Sequence, residues 1–129
     1  MAIRSISTAA IRAANSGFSD SGRPLATCAR AIRLSDAIAA VANDEQKERY
    51  GNRWAAMAIT EPDTGSDSGN IRTTATKDGD EYVLNGEKIF VTSGERAELV
   101  VVWATLDRSL GKKAIKSFVV ERSNPGLKL

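Results

Sequence analysis

Apolar and polar positions change period near Ala55. Before it, apolar residues recur at helical spacing but the pattern is repeatedly broken. Ile3, Ile6 and Ile11 fit a helix within residues 1–33, and Gly17, Gly22 and Pro24 interrupt it. From Ala26 to Val41, the residues Ala29, Ile32, Ala37, Ile38 and Val41 fall loosely on one face of a single amphipathic helix. Asn43-Asp44-Glu45-Gln46 spells a capping box, with Asn43 as N-cap and Gln46 three residues on. It predicts a short helix running to Glu48 or Tyr50 and stopped at Gly51. Ala55 to Thr60 then reads as a short buried strand that Pro62 ends. Ile71 to Lys77 alternates, Asp78-Gly79 supplies a tight turn, and Glu81 to Leu84 follows as a strand. Asn85-Gly86 is the strongest two-residue hairpin signal, because both residues tolerate positive φ. It predicts Lys88 to Thr92 as the return strand. Leu99 to Leu106 is a continuous apolar run, expected of a strand buried on both sides. Ser117 to Glu121 is another strand, Asn124-Pro125-Gly126 a turn, and Leu127-Lys128-Leu129 the start of a further strand.

The pattern thus predicts an α+β chain. A helical segment over residues 1–54 precedes an antiparallel β-barrel or sandwich of about six strands over residues 55–129. The last strand breaks off in mid-pattern, leaving an edge and an apolar face open, so the chain is expected to be a fragment.

Composition narrows the chemistry more than the fold. The 129 residues suffice for one domain with its own core. A net charge of +2 makes no electrostatic case for nucleic acid. That charge is uneven: residues 1–35 hold five Arg against Asp20 alone. A basic, Ser- and Ala-rich start fits a mitochondrial presequence, although a weakly specified helical N-terminus is the preferred reading. Cys28 is the single cysteine, which rules out an intrachain disulfide and suits a reduced intracellular setting. No run approaches the roughly 18 apolar residues of a membrane span. Histidine is absent, which removes His metal sites, Ser-His and Cys-His nucleophile pairs and imidazole acid–base work together. Chemistry here must come from carboxylates, hydroxyls, backbone amides or a borrowed cofactor.

If Lys88 to Thr92 is a strand, Phe90 and Thr92 share one face and Ile89 and Val91 the other. An aromatic ring two residues from a hydroxyl can stack on a flat ring system and hydrogen-bond its rim. Thr60 brings a second hydroxyl, and the loop Asp63-Thr64-Gly65-Ser66-Asp67-Ser68-Gly69 offers amides to an anion such as a diphosphate. These features suit a flat, hydrogen-bonding heterocycle carrying phosphates. The spacing fits equally a core Phe90, two ordinary strand threonines and a surface loop.

Longer stretches weigh between the two. Ala58-Ile59-Thr60-Glu61-Pro62-Asp63-Thr64-Gly65-Ser66-Asp67, then Asp78 to Lys88, and Val91-Thr92-Ser93-Gly94 resemble the middle β-domain of acyl-CoA dehydrogenases. Phe118 to Glu121 and Pro125-Gly126-Leu127 continue the match, and Asp44 to Tyr50 resembles the short helix before that domain. The resemblance covers residues 44–129. It implies an FAD-dependent oxidation of an acyl-CoA thioester to the 2,3-enoyl-CoA in fatty-acid β-oxidation, with hydride passing to flavin N5. It further implies that Thr60 bonds the flavin pyrimidine edge, with Met57, Ala58 and Ile59 on the same strand. Ser66 would lie near FAD phosphate and the CoA thioester, Phe90 would stack on the isoalloxazine, and Val91 and Thr92 would present amide and hydroxyl to its O4/N5 side. An electron-transferring flavoprotein would accept the electrons, and family members form homo-oligomers. The setting would be the cytoplasm in a bacterium, or the mitochondrial matrix if the basic start is a presequence.

Phe90 stands where the family usually has Trp, Thr64 and Ser93 replace common Ala and Asn, and the Gly51 to Trp54 linker is short. The family's C-terminal helical bundle, which supplies the catalytic glutamate, has no counterpart here. No catalytic residue is therefore assigned, no metal is expected, and the chain alone is expected to be inactive. One alternative is an inactive flavin- or CoA-binding remnant. A remote one is an aspartic-protease-like dimer built on Asp63-Thr64-Gly65-Ser66, although Glu61 and Pro62 separate that motif from its strand. A calcium loop fails because Thr74 stands where a bidentate Glu belongs.

Overall fold

The computed structural model describes residues 2–6 and 43–128. The expected helix from Ala26 to Val41, Cys28 and most of the basic N-terminal segment lie outside the described residues.

The described elements are β1 (Ala2–Ile6), α1 (Asp44–Tyr50), β2 (Ala55–Ala58), β3 (Thr74–Asp78), β4 (Glu81–Glu87), β5 (Leu99–Thr105) and β6 (Ile115–Glu121), with 3-10 turns at Ser68–Asn70 and Arg108–Ala114. The six strands form one sheet in the order β1-β4-β3-β5-β2, with β6 also on β5. The α+β class holds. The sheet, however, is mixed: β2 runs parallel to β5, Ala55 opposite Leu99 through Ala58 opposite Val102, and Thr74 of β3 bridges Thr105 in parallel. β6 pairs antiparallel along the whole of β5.

α1 starts as its sequence dictates. The Asn43 side chain accepts from the Gln46 amide at 2.9 Å, and the Asn43 amide donates back to the Gln46 side chain at 3.2 Å. None of its residues is buried. It is held to the sheet by Tyr50, packed near Leu99, and by exposed pairs of Arg49 and Arg53 with Glu121 and Glu98. Such pairs contribute at most about 1 kcal/mol each.

The main core lies on one face of the sheet. Ala58, Ala75, Leu84, Val100, Val102, Ala104, Phe118, Val120 and Leu127 form it, and Tyr82 and Val91 pack against it. Period-two alternation selects these residues from β5 and β6 and turns Leu99, Val101 and Val119 to the other face, toward Tyr50. The Tyr82 and Phe118 rings meet at 5.3 Å and 56°, a tilted contact that fixes β4 across β6.

Four expectations are corrected here. Asn85-Gly86 is not a turn: both residues lie within β4, Asn85 opposite Thr74 of β3 and Gly86 opposite Ile3 of β1. The tight turn expected at Asp78-Gly79 does form, one residue on: Gly79-Asp80 turns between the paired Asp78 and Glu81, with Gly79 at φ 59°. Glycine serves at position 86 for a different reason, since a Cβ there would fall on Thr73 Oγ1 and within 2.7 Å of Thr73 Cα. Second, Lys88 to Thr92 is not a strand; the chain leaves the sheet after Glu87, and Phe90 and Ser93 take φ of 54° and 60°. Third, the first described residues are a strand rather than part of a helix, because the free edge of β4 offers them a ladder. Fourth, the strand expected over Ile71 to Lys77 is confined to Thr74–Asp78, while Ser117 to Glu121 extends back to Ile115.

Candidate functional site

Two arms of irregular backbone meet at the end of β2. The first, Ile59 to Glu61, continues from Ala58; the second, Lys88 to Val91, continues from β4. The Ile89 amide donates to the Thr60 carbonyl at 2.9 Å. Lys88 Nζ donates to the Ile59 carbonyl at 3.0 Å and to Glu61 Oε1 at 2.7 Å. The segment carrying Thr60 is thereby joined to the segment carrying Phe90, the two residues on which the ring-binding expectation rests. The period-two argument that placed Phe90 and Thr92 on one strand face does not apply, because no strand is present there.

Beneath the arms, Glu61 and Lys88 form a buried pair, 4% and 0% exposed. The Glu61 carboxylate accepts four hydrogen bonds. The Arg72 amide donates at 2.6 Å, the Thr73 amide at 2.9 Å, the Thr73 hydroxyl at 2.5 Å, and Lys88 as above. Burial raises the affinity of Glu61 for a proton, but the bonds from Lys88, Thr73 and Arg72 outweigh it and hold the carboxyl below the ordinary glutamate range. Burial likewise lowers the Lys88 ammonium, with the Glu61 bond and charge opposing. Their 2.7 Å contact is that of an ammonium with a carboxylate. Neither residue was singled out from sequence, although a lysine heading the apolar run Ile89-Phe90-Val91 was a usable signal.

The expected site residues fall into three groups. Phe90 is 88% exposed while its backbone sits in the left-handed region. That conformation costs a bulky residue roughly 1–2 kcal/mol, and no packing of the ring offsets it. Thr60 is half-buried, Thr92 and Ser66 are exposed, and among the described residues their hydroxyls have no hydrogen-bond partner. The amides of Val91 and Thr92 likewise donate to no described residue. Val91 and Ile59 are half-buried, with Val91 packed on the core. Met57 is exposed on the edge strand β2, whereas Ala58 is fully buried in the core and presents no surface of its own. Ser66 lies beyond the turn closed by Glu61 and Thr64, and among the described residues no hydrogen bond joins it to either arm.

Among the described residues, Phe90 thus offers an unpacked aromatic face, and the Thr60 and Thr92 hydroxyls and the Val91 and Thr92 amides have no hydrogen-bond partner, groups that can stack and donate. Asp63, the centre of the protease alternative, is exposed and paired with Arg72 Nη1 at 2.6 Å. It forms a surface ion pair. Among the described residues no cluster of acids or Cys could hold a metal ion, and no helix is long and apolar enough to cross a membrane.

The family model described as "Acyl-CoA dehydrogenase, middle domain" matches residues 56–129. The acyl-CoA dehydrogenase of Bacillus subtilis is 42% identical over 90 residues, 65% of this chain and 24% of that protein. The cyclohex-1-ene-1-carbonyl-CoA dehydrogenase of Geobacter metallireducens is 47% identical over 90 residues, 64% of this chain and 24% of that protein. This chain thus spans about a quarter of the length of the curated relatives it matches. Among solved structures, PigA with FAD and proline superposes with a TM-score of 0.69 at 33% identity, covering 76% of this chain and 27% of that one.

Proposed function

We propose, from the premise that this chain belongs to the acyl-CoA dehydrogenase family through its middle domain, that residues 55–129 supply one wall of an FAD site in an acyl-CoA dehydrogenase. Residues 1–54 would be part of its helical lead-in, with Ala2–Ile6 reaching into the sheet. The reading is carried by Phe90, a large aromatic held almost fully exposed in an unfavourable backbone conformation. Such an arrangement is stabilised by a partner that stacks on it. Phe90 lies against the ring, the Thr60 hydroxyl meets its pyrimidine edge, and the Val91 amide and the Thr92 amide and hydroxyl meet its polar O4/N5 side. Met57 and Ile59 line the approach through β2, with the buried Ala58 between them backing that wall from the core. Ser66 serves the phosphate and thioester end, which requires its loop to be met by the ligand rather than by the arms.

When bound, the flavin supplies the two-electron chemistry that oxidises an acyl-CoA to its 2,3-enoyl-CoA; the protein binds and tunes it. Fixed donors around the pyrimidine favour negative charge there. Glu61, the buried acid among the described residues, is committed to four hydrogen bonds and is not a base. No catalytic base is assigned within these residues. The substrate would be a fatty acyl-CoA, the electron acceptor an electron-transferring flavoprotein, and the working form a homo-oligomer. Its place would be the cytoplasm of a bacterium or the mitochondrial matrix.

A titration of the chain with FAD, followed by flavin absorbance, tests the reading. Saturable binding is expected, with the flavin spectrum altered in Thr60→Val because a hydroxyl at the ring edge is lost. A folded chain that leaves the flavin spectrum unchanged at every concentration contradicts it.

A further inference from the structure

The links between the two arms run through, or directly beside, one pair of side chains that the ring itself does not reach. Lys88 Nζ joins the Ile59 carbonyl to Glu61, so the residues before and after Thr60 are both held by one ammonium. The next residue, Ile89, donates its amide to the Thr60 carbonyl, and Phe90 follows directly. Glu61 extends the same network to Arg72 and Thr73. Thr73 in turn lies where a side chain on Gly86 would be, which sets the height of β4 just before it delivers Lys88. On the far side of Phe90, the Gly94 amide donates to the Val91 carbonyl at 3.1 Å, and Arg122 Nη1 donates to the Gly94 carbonyl at 2.7 Å. Phe90 is thus anchored before and after, while its own ring touches little.

We infer that Glu61 and Lys88 are positioning residues of the cofactor site, holding the Thr60 arm and the Phe90 arm in the one register that lets a hydroxyl and an aromatic face meet the same flat ring. The inference rests on the flavin reading above. Stability alone does not account for the pair, because apolar side chains of similar volume stabilise a core as well as or better than a buried ion pair. An ion pair adds direction. The ammonium points one proton at one backbone carbonyl, and the carboxylate fixes where the ammonium sits. Hydrogen bonding at the Ile59 carbonyl also polarises the peptide whose N–H belongs to Thr60, strengthening that amide as a donor.

The test is the double variant Glu61→Gln/Lys88→Met in the full chain, which removes both charges at near-constant volume. Circular dichroism and thermal melting establish that it folds. The Ile89 amide should then exchange with solvent at least about tenfold faster than in the parent, and FAD should bind at least about tenfold more weakly with an altered visible dichroism, as expected for loss of charge-assisted hydrogen bonds. Thr73→Val, which removes only the hydroxyl bond to Glu61, decides the matter with the same two measurements if the double variant does not fold; a smaller change in the same direction is expected. A folded double variant with parental Ile89 exchange and parental FAD affinity overturns the positioning role and leaves the flavin reading standing. A parent chain that binds no FAD overturns both.

Discussion

Replacing Lys88 by Met is the most severe single test of how the arms are built. Met keeps most of the aliphatic stem, so no large cavity opens and the loss is electrostatic. Two groups are stranded: the Ile59 carbonyl loses its 3.0 Å donor, and Glu61 becomes a buried carboxylate without a counter-charge. Removing one partner of a buried pair costs about 3–5 kcal/mol. Glu61 keeps its donors from Arg72 and Thr73, which places the loss at the lower end, about 3 kcal/mol. Against a typical total of about 5–15 kcal/mol, that is a large share. In melting temperature it corresponds to a fall of about 12–24 °C for a domain of this size. Urea unfolding followed by tryptophan fluorescence measures it, with Trp54 and Trp103 as reporters. Adding Glu61→Gln should restore only part of the loss, because the stranded charge disappears while the Gln amide nitrogen is left facing a backbone donor. A loss below about 1 kcal/mol, the worth of an exposed pair, would refute the burial and pairing described.

Three further outcomes are expected. Because the folded Glu61 carboxyl binds a proton less readily than the unfolded one, the unfolded state takes up more protons as pH falls; stability should decline from about pH 4.3 downward through the depressed folded value, and more steeply in the parent than in Glu61→Gln. Gly86→Ala should destabilise the fold by about 1–3 kcal/mol through collision with Thr73, and a neutral result in urea unfolding would mean that β4 stands further from Thr73 than described. Phe118→Ala removes a fully buried ring that also meets Tyr82, so unfolding should show a loss of about 3–5 kcal/mol, whereas a value under about 1 would place the core elsewhere.

Local chemistry made part of this molecule legible. The capping box at Asn43 and Gln46 needs only neighbouring residues, and it forms as written. The apolar run from Leu99 depends only on being central in a sheet, and β5 is buried with strands on both sides. Gly86 was misread because glycine answers two different demands, a turn and a close approach, and only the position of Thr73 distinguishes them. Lys88 was read only as the start of a return strand, because its counter-charge lies 27 positions earlier in the chain. The left-handed backbone at Phe90 runs against the preference of any bulky residue, so no local rule could have placed it. The grouping of Thr60, Phe90, Val91 and Thr92 came from the family resemblance rather than from strand geometry; the structure joins the segments that carry them through the Ile89–Thr60 hydrogen bond.

The central claim is that Phe90 is held out for a ring and not for the fold. Phe90→Gly separates the two, since glycine relieves the positive φ while removing the aromatic face. FAD affinity and urea stability measured on the same preparation give the answer. The account predicts stability unchanged or raised by up to about 1 kcal/mol, with FAD affinity reduced at least about tenfold through lost stacking. Parental FAD affinity in a stable Phe90→Gly chain would contradict it.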